Sequence, residues 1–171
     1  MGGTTMRRLR RLGIAGLACL AGGCIGAPMD SSGAMSSSAR REKALSDLAV
    51  SAVVVKNDGF RVWLARTSDE QREGLMFVSE SEIADDQGML FVFSDERVRG
   101  FWMKNTVTPL DIAYARMDGT IVAIHTMPPL TLQTFSSIEP AMFALEVKAG
   151  TFAKLGIVEG DHMLVPPGVL K

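Results

Sequence analysis

Short apolar runs of strand length, separated by turn residues, fill the chain from about residue 50 to its end. The turn sequences Asn-Asp-Gly at 57–59 and Asp-Gly at 118–119 each lie between two such runs, where they favour β-hairpins. Apolar residues alternate within 60–65, as in a strand with one buried face. The stretch 128–141 is predicted to be a polar loop. Seven or eight short strands with this spacing predict an all-β sandwich or barrel.

Two short helices interrupt the predicted strands. Residues 67–75 begin at Thr67, a suitable N-cap, and Glu70 completes a capping box. Gly74 is placed to end this helix. Residues 151–156 are predicted to form a single helical turn. The predicted fold class is an all-β, single-domain, antiparallel sandwich, jelly-roll-like, with one or two short helices.

The first 23 residues have the pattern of a bacterial export signal. Basic residues at 7–11 precede an apolar run at 12–23, which is too short and too rich in Gly and Ala to span a bilayer comfortably. The small residues before Cys24 resemble a lipoprotein signal, in which that cysteine carries a diacylglycerol. Ala21 stands where this signal usually has Leu, Val or Ile. An ordinary secretory peptide cleaved nearby is the alternative.

The predicted organisation has three parts: a signal peptide at 1–23, a flexible tether at 24–48 and an all-β domain at 49–171. The tether is rich in small and polar residues. Both cysteines, Cys19 and Cys24, lie near the N-terminus, so the domain can form no internal disulfide. We predict a lipoprotein of the bacterial cell envelope, anchored to a membrane through Cys24 and facing the periplasm or the exterior. A soluble periplasmic or secreted protein is the alternative.

The charge distribution bears on possible partners. Four of the 18 basic residues are arginines within the first eleven positions, so 14 basic and 19 acidic residues remain from Cys24 onward. A mildly acidic body without a basic cluster argues against nucleic-acid binding. The domain has two histidines, His125 and His162, which share no motif. The sequence therefore predicts no metal site and no cofactor.

Five sequence blocks stand in a characteristic order: 67–77, 88–93, 101–114, 118–124, and 144–150 followed by 156–161. Together they resemble the bacterial and archaeal family known as domain of unknown function 192, over roughly residues 50 to 166. The resemblance implies an all-β fold of the sandwich or jelly-roll type, often behind a signal peptide, and implies no particular chemistry. Family members commonly have a Ser-Gly-Gly-Pro-Ala-like stretch, and this chain departs from it by having Ile138 and Glu139 in place of the glycines.

The candidate binding residues are Trp102, Lys104, Asn105, Asp111 and Glu146. The segment around Lys104 is the expected hairpin partner of the strand that carries Asp111, and one register would pair the two residues. Trp102 is expected to pack in a strand that is buried on both faces. The leading hypothesis is a concave patch that binds a small polar ligand, a glycan or an envelope protein without catalysis.

Other roles for the same residues remain open. Asp111 and Glu146 are both placed on the small-residue face of their strands, which in an antiparallel sheet is often solvated. They would serve as acid and base in an envelope hydrolase acting on a glycoside. Alternatively, the polar cluster of Lys104, Asn105, Asp111 and Glu146 only holds the fold together.

Overall fold

The computed structural model of the protein describes residues 40–170. The predicted signal peptide, Cys24 and the tether up to residue 39 lie outside the described residues. The strands are β1 (Val50–Val55), β2 (Asp58–Ala65), β3 (Gln87–Phe101), β4 (Leu110–Ala115), β5 (Ile121–Met127), β6 (Phe135–Lys148) and β7 (Met163–Leu164). The helices are α1 (Ser68–Glu73), α2 (Thr151–Leu155) and the 3₁₀ turns Leu45–Asp47, Glu80–Glu82 and Pro167–Leu170.

All seven strands belong to one sheet, in the order β5-β4-β6-β3-β2-β1-β7. The predicted all-β class, with two short helices, is confirmed. The sheet is mixed rather than antiparallel throughout, because β2 and β3 run parallel. Residues 66–86, which include α1, make the long crossover that a parallel pair requires.

The hairpins and the helix cap that the sequence predicts are present in the structure. A hairpin joins β1 to β2, and another joins β4 to β5. At the start of α1, Thr67 Oγ1 accepts a hydrogen bond from the Glu70 backbone at 3.3 Å, and the Glu70 carboxylate accepts one from the Thr67 backbone at 3.0 Å. Gly74 ends the helix with a φ of +49°, which favours glycine.

A bulge in β6 falls inside the stretch that was predicted to be a loop. The loop prediction is wrong for residues 135–141, because β6 begins at Phe135 and pairs with β3. The buried Ser137 hydroxyl accepts a hydrogen bond from the Arg99 backbone at 2.8 Å and donates one to the Glu139 carbonyl at 2.6 Å. The bulge places Ile138 at a φ of +62°, a strained conformation for a β-branched residue.

Both faces of the sheet are covered by apolar side chains. On the first face, Val62 and Leu145 pack with Phe152 of α2. On the second face, Ile112 and Tyr114 pack with residues of the crossover. Strand β4 is buried along its whole length as a result.

The sheet curls until its two edge strands approach each other at one end. Thr120, just before β5, forms an antiparallel bridge with His162, just before β7. The Ile121 backbone donates to the Asp161 carbonyl at 2.9 Å, and the Gly160 backbone donates to the Ile121 carbonyl at 2.9 Å. Backbone groups that an open edge would expose are therefore paired here.

Residues 41–48, within the predicted tether stretch, contact the domain. Arg41 donates to the carbonyls of Gly74 and Met76 at 2.7 and 3.0 Å. Lys43 pairs with Glu70 at 2.5 Å. Among residues 40–170, no helix has the length and apolar character needed to cross a membrane.

Candidate functional site

Glu146 is a buried acid in the middle of β6. Its neighbours across the sheet are Met89 in β3 and Ile112 in β4, and it lies on the second face. Only 4% of the residue is exposed. Within residues 40–170, no group donates a hydrogen bond to its carboxylate or forms an ion pair with it. Its carboxylate oxygens are therefore not completely sealed from solvent, because no fully buried side-chain oxygen or nitrogen among these residues lacks a partner. Burial raises the pKa of Glu146 from its usual 4.5 to about 8, so the side chain is mostly protonated at pH 7.

A cavity of about 420 Å³ lies against Glu146. Its wall combines α1, the middle and end of β3, and the segment that follows β3. The lining residues are Ser68, Gln71, Arg72, Glu73, Gly74, Leu75, Met76, Phe91, Phe93, Val98, Arg99, Gly100, Phe101, Trp102, Thr106 and Glu146.

Aromatic rings form one side of this cavity. The Phe91 and Phe101 rings meet edge to face, with centroids 4.7 Å apart. Phe101 also meets Tyr114 edge to face at 5.7 Å, and the Tyr114 hydroxyl donates to the Phe135 carbonyl at 2.8 Å. Burial, together with the nearby negative charge of Glu146, raises the pKa of Tyr114. Tyr114 therefore stays neutral over the physiological range and fixes the position of the aromatic wall.

Helix α1 forms the opposite side. Gln71 donates to the Val92 carbonyl at 2.8 Å and so ties the helix to β3. Gly74 follows the helix where it approaches Phe91 closely, because a Cβ at this position would lie 3.2 Å from the ring. The absence of a side chain at Gly74 keeps the cavity open between helix and sheet.

Arg99 is a cation buried in the same wall. It is 8% exposed, and its guanidinium carbon lies 3.9 Å from the centroid of the Phe93 ring. Its Nη2 contacts Asp95 Oδ1 at 2.7 Å. Its charge is thus offset by a carboxylate and by an aromatic face.

The other charged side chains of the wall also have opposite partners. Arg72 pairs with Asp69 at 2.9 Å, and Glu73 pairs with Arg41 at 3.5 Å. Among the charged lining residues that the structure describes, Glu146 alone has no hydrogen bond or ion pair. The cavity therefore ends at an unpartnered acid.

Three predicted site residues lie beside the cavity. Trp102 lies at its rim with 49% of the residue exposed, so the prediction of a doubly buried strand is wrong at this position; β3 ends one residue earlier. Lys104 Nζ lies 5.4 Å from the centroid of a Trp102 ring. The Asn105 carbonyl accepts from the Phe77 backbone at 2.8 Å. Trp102, Lys104 and Asn105 share a neighbouring groove of about 270 Å³.

Asp111 lies on the other face of the sheet. Strand β4 pairs with β5 and β6, so the expected hairpin between Lys104 and Asp111 does not form. Asp111 stands opposite Val147, the residue after Glu146, and adjacent positions of a strand face opposite ways. The structure therefore does not bring Asp111 and Glu146 together, and they cannot act on one substrate as acid and base.

Asp111 has local partners instead. It is 2% exposed and accepts hydrogen bonds from Thr126 Oγ1 at 2.6 Å and from the Phe152 backbone at 3.2 Å. These bonds connect β4 to β5 and to the start of α2. The expectation of a solvated face is wrong for both acids, because each face of the sheet is covered.

Sequence reasoning missed Phe91, Phe93 and Arg99 as cavity residues. Glu146 carries a signal that was available, since it stands between Leu145 and Val147, whereas Arg99 follows the polar residues 94–97 and does not stand out in the same way. The described residues contain no group of three or more His, Cys, Asp or Glu side chains that could hold a metal ion.

Comparison with known proteins gives a family and no activity. Residues 52–165 match the family model DUF192, described as "Uncharacterized ACR". No curated protein matches the chain. A protein from Sinorhizobium meliloti 1021, described provisionally as a transcription regulator, is similar in structure, with a TM-score of 0.66 and 35% sequence identity. The match covers 68% of this chain and 94% of that protein. A protein of unknown function from Novosphingobium aromaticivorans DSM 12444 is 34% identical with a TM-score of 0.68, covering 75% and 94%.

Proposed function

The chain belongs to the DUF192 family, and we propose that it is a non-catalytic binding module that holds a small organic ligand in the cavity above Glu146. The observation that carries this proposal is the unpartnered, buried carboxyl group that lines a cavity. A ligand that donates a hydrogen bond or brings an opposite charge would give this carboxyl group a partner that the described residues do not provide.

The shape and composition of the cavity support small-molecule binding. Its volume of about 420 Å³ lies in the range typical of ligand pockets, roughly 300–1,000 Å³. Apolar rings with few polar groups are the usual lining of such pockets. The aromatic rings would hold the apolar part of a ligand, while Glu146 orients its polar part.

The test is a fragment screen on the 15N-labelled protein. We expect bound fragments to shift the amide signals of Gly74, Phe91, Phe101 and Glu146 together. They should also change the fluorescence of Trp102 at the rim, and Trp102→Phe should remove most of this response without preventing binding. Fragments that bind only away from the cavity, or no fragment binding at all, would refute the proposed function.

We also propose that the protein works at the cell envelope, attached to a membrane through a lipid on Cys24. The support is in the sequence alone: basic residues, a short apolar run and small residues precede Cys24, and a polar stretch follows it. Stable attachment by such a lipid follows from the apolar area of its acyl chains, at about 0.8 kcal/mol per buried CH₂.

The chain offers a matched control for the anchor, because Cys19 is its other cysteine. Cells fed a labelled fatty acid should incorporate label into the wild-type protein and into Cys19→Ala, and both should sediment with membranes. Cys24→Ala should lose the label and move to the soluble fraction. If Cys24→Ala stays membrane-bound and labelled, the anchor is elsewhere; if no variant is exported, the envelope proposal fails.

A further inference from the structure

We propose that the ligand of the Glu146 cavity carries an organic cation, of the substituted ammonium class, which pairs with the Glu146 carboxylate and packs against the aromatic wall. This inference rests on the proposed binding function and specifies its ligand.

The balance of charges around the cavity points to a cation. Arg72 and Glu73 face the cavity from α1, and Arg99 faces it from β3. Each of these has an opposite partner in the described chain, namely Asp69, Arg41 and Asp95. Tyr114 of β4 is neutral. The binding of one positive charge would leave every charged group of the wall paired.

A neutral ligand would interact less favourably with Glu146 than a cation would. An ionised carboxylate without a counter-ion is costly inside a protein, so Glu146 keeps its proton while the cavity holds no cation. An uncharged hydroxyl or amide ligand could be hydrogen-bonded equally well by an uncharged polar side chain at this position. Binding of a cation instead favours loss of the proton from Glu146. The resulting carboxylate then attracts the cation strongly, because opposite charges attract more strongly in a low dielectric.

The aromatic wall fits the same ligand class. Phe91, Phe101 and Trp102 line the cavity, and aromatic rings attract substituted ammonium groups through their negative faces. The Arg99 guanidinium already lies over Phe93, which shows that this wall accepts a cation. Arg99 covers a face of the Phe93 ring, and Lys104 Nζ lies 5.4 Å from the centroid of a Trp102 ring, whereas neither Phe91 nor Phe101 has a cation over it among the described residues.

A matched pair of probes tests the inference. Choline carries a permanent positive charge, and 3,3-dimethyl-1-butanol has the same shape with carbon in place of nitrogen. Binding of each to the full chain is followed by the amide signals of the cavity residues, and the Glu146 carboxyl is followed by its 13C signal. We expect choline to bind at least tenfold more tightly than the alcohol at pH 8.

The pH dependence adds a second readout. Below the pKa of about 8, the ionised fraction of Glu146 falls about tenfold per pH unit, and choline affinity should fall with it. Alcohol binding should not weaken as the pH falls. Saturating choline should move the Glu146 titration to lower pH. This measurement uses the wild-type protein, so it does not depend on whether a variant folds.

Variants separate the roles. Glu146→Gln should lose choline binding at least tenfold and keep alcohol binding, whereas Glu80→Gln, an exposed acid that does not line the cavity, should bind both as the wild type does. Equal binding of the two probes, or unchanged choline binding by Glu146→Gln, would overturn the cation and leave the binding function standing. If the fragment screen also finds nothing in the cavity, the proposed function itself fails.

Discussion

Replacing Glu146 should change how stability depends on pH, which tests the buried acid without any ligand. In the unfolded chain Glu146 titrates near pH 4.5, and in the folded protein it titrates near pH 8. Between these values the folded protein holds a proton that the unfolded chain releases. The free energy of unfolding therefore falls as the pH rises from 4.5 to 8 and levels off above 8.

The magnitude follows from the distance between the two values. They lie about 3.5 pH units apart, and each unit corresponds to about 1.4 kcal/mol, so the full loss is on the order of 5 kcal/mol. Glu146→Gln keeps the size of the side chain and cannot ionise. The variant should therefore show almost none of this decline, and its advantage over the wild type should grow between pH 5 and pH 8.

Urea unfolding at pH 5, 6, 7 and 8, followed by tryptophan fluorescence, measures this difference. Other titrating groups contribute equally to both proteins, so the difference between the two curves isolates Glu146. If the two proteins differ by the same free energy at every pH, to within about 1 kcal/mol, then Glu146 does not titrate near 8 and the reasoning from its burial is refuted.

Substitutions at four further positions test other parts of the structure. Ile138→Gly should raise the free energy of unfolding by about 1 kcal/mol, because 69% of Ile138 is exposed and its left-handed backbone favours glycine; Ile138→Ala should give no such gain in urea unfolding. Ser137→Ala should lower it by about 1–3 kcal/mol, since the Arg99 amide and the Glu139 carbonyl lose their partner. Asp111→Asn should lower the melting temperature and leave fragment binding at the Glu146 cavity unchanged; lost binding with normal stability would contradict its structural role. Burial favours a higher pKa for Glu70, but hydrogen bonds from Lys43 and from the backbone of Thr67 and Arg66 outweigh it and lower the pKa to about 2. Its stabilising contribution is present above pH 4.5 and is lost as the pH falls towards 2, so Glu70→Gln should flatten the acid limb of the stability curve.

The parts of the fold that depend on neighbours in sequence were predictable. The capping box of α1 involves residues three positions apart, and the hairpin turns involve two or three residues, so their signals lie in short stretches. The alternation of side chains along β4 was also predictable, because it is fixed by strand geometry. Asp111 and Ile112 point to opposite sides as the alternation predicts.

The parts that depend on strand order were not predictable. Nothing near Asp111 specifies that β4 lies between β5 and β6, since that position results from pairing with residues more than thirty positions away. The exposure of Trp102 depends on where β3 ends and on how the following segment packs. Glu146 stood out because it is a charge in an apolar strand, but its cavity is formed by α1 and β3, which come together only in the folded sheet.

The bridge between Thr120 and His162 affects how the domain folds during synthesis. The sheet becomes a nearly closed ring when β7 pairs with β1, where Val54 meets Leu164, and when the chain before β7 meets the chain before β5. These pairings join residues that are far apart in sequence, which makes folding slow. A chain that emerges from the ribosome with its N-terminus first cannot close the ring until residues 160–164 have been made. Until then β1 and β5 offer unpaired edges to other chains, and we expect a chain truncated before Asp161 to aggregate, even though Met163 and Val169 are the only buried core residues that it loses from the described part of the chain.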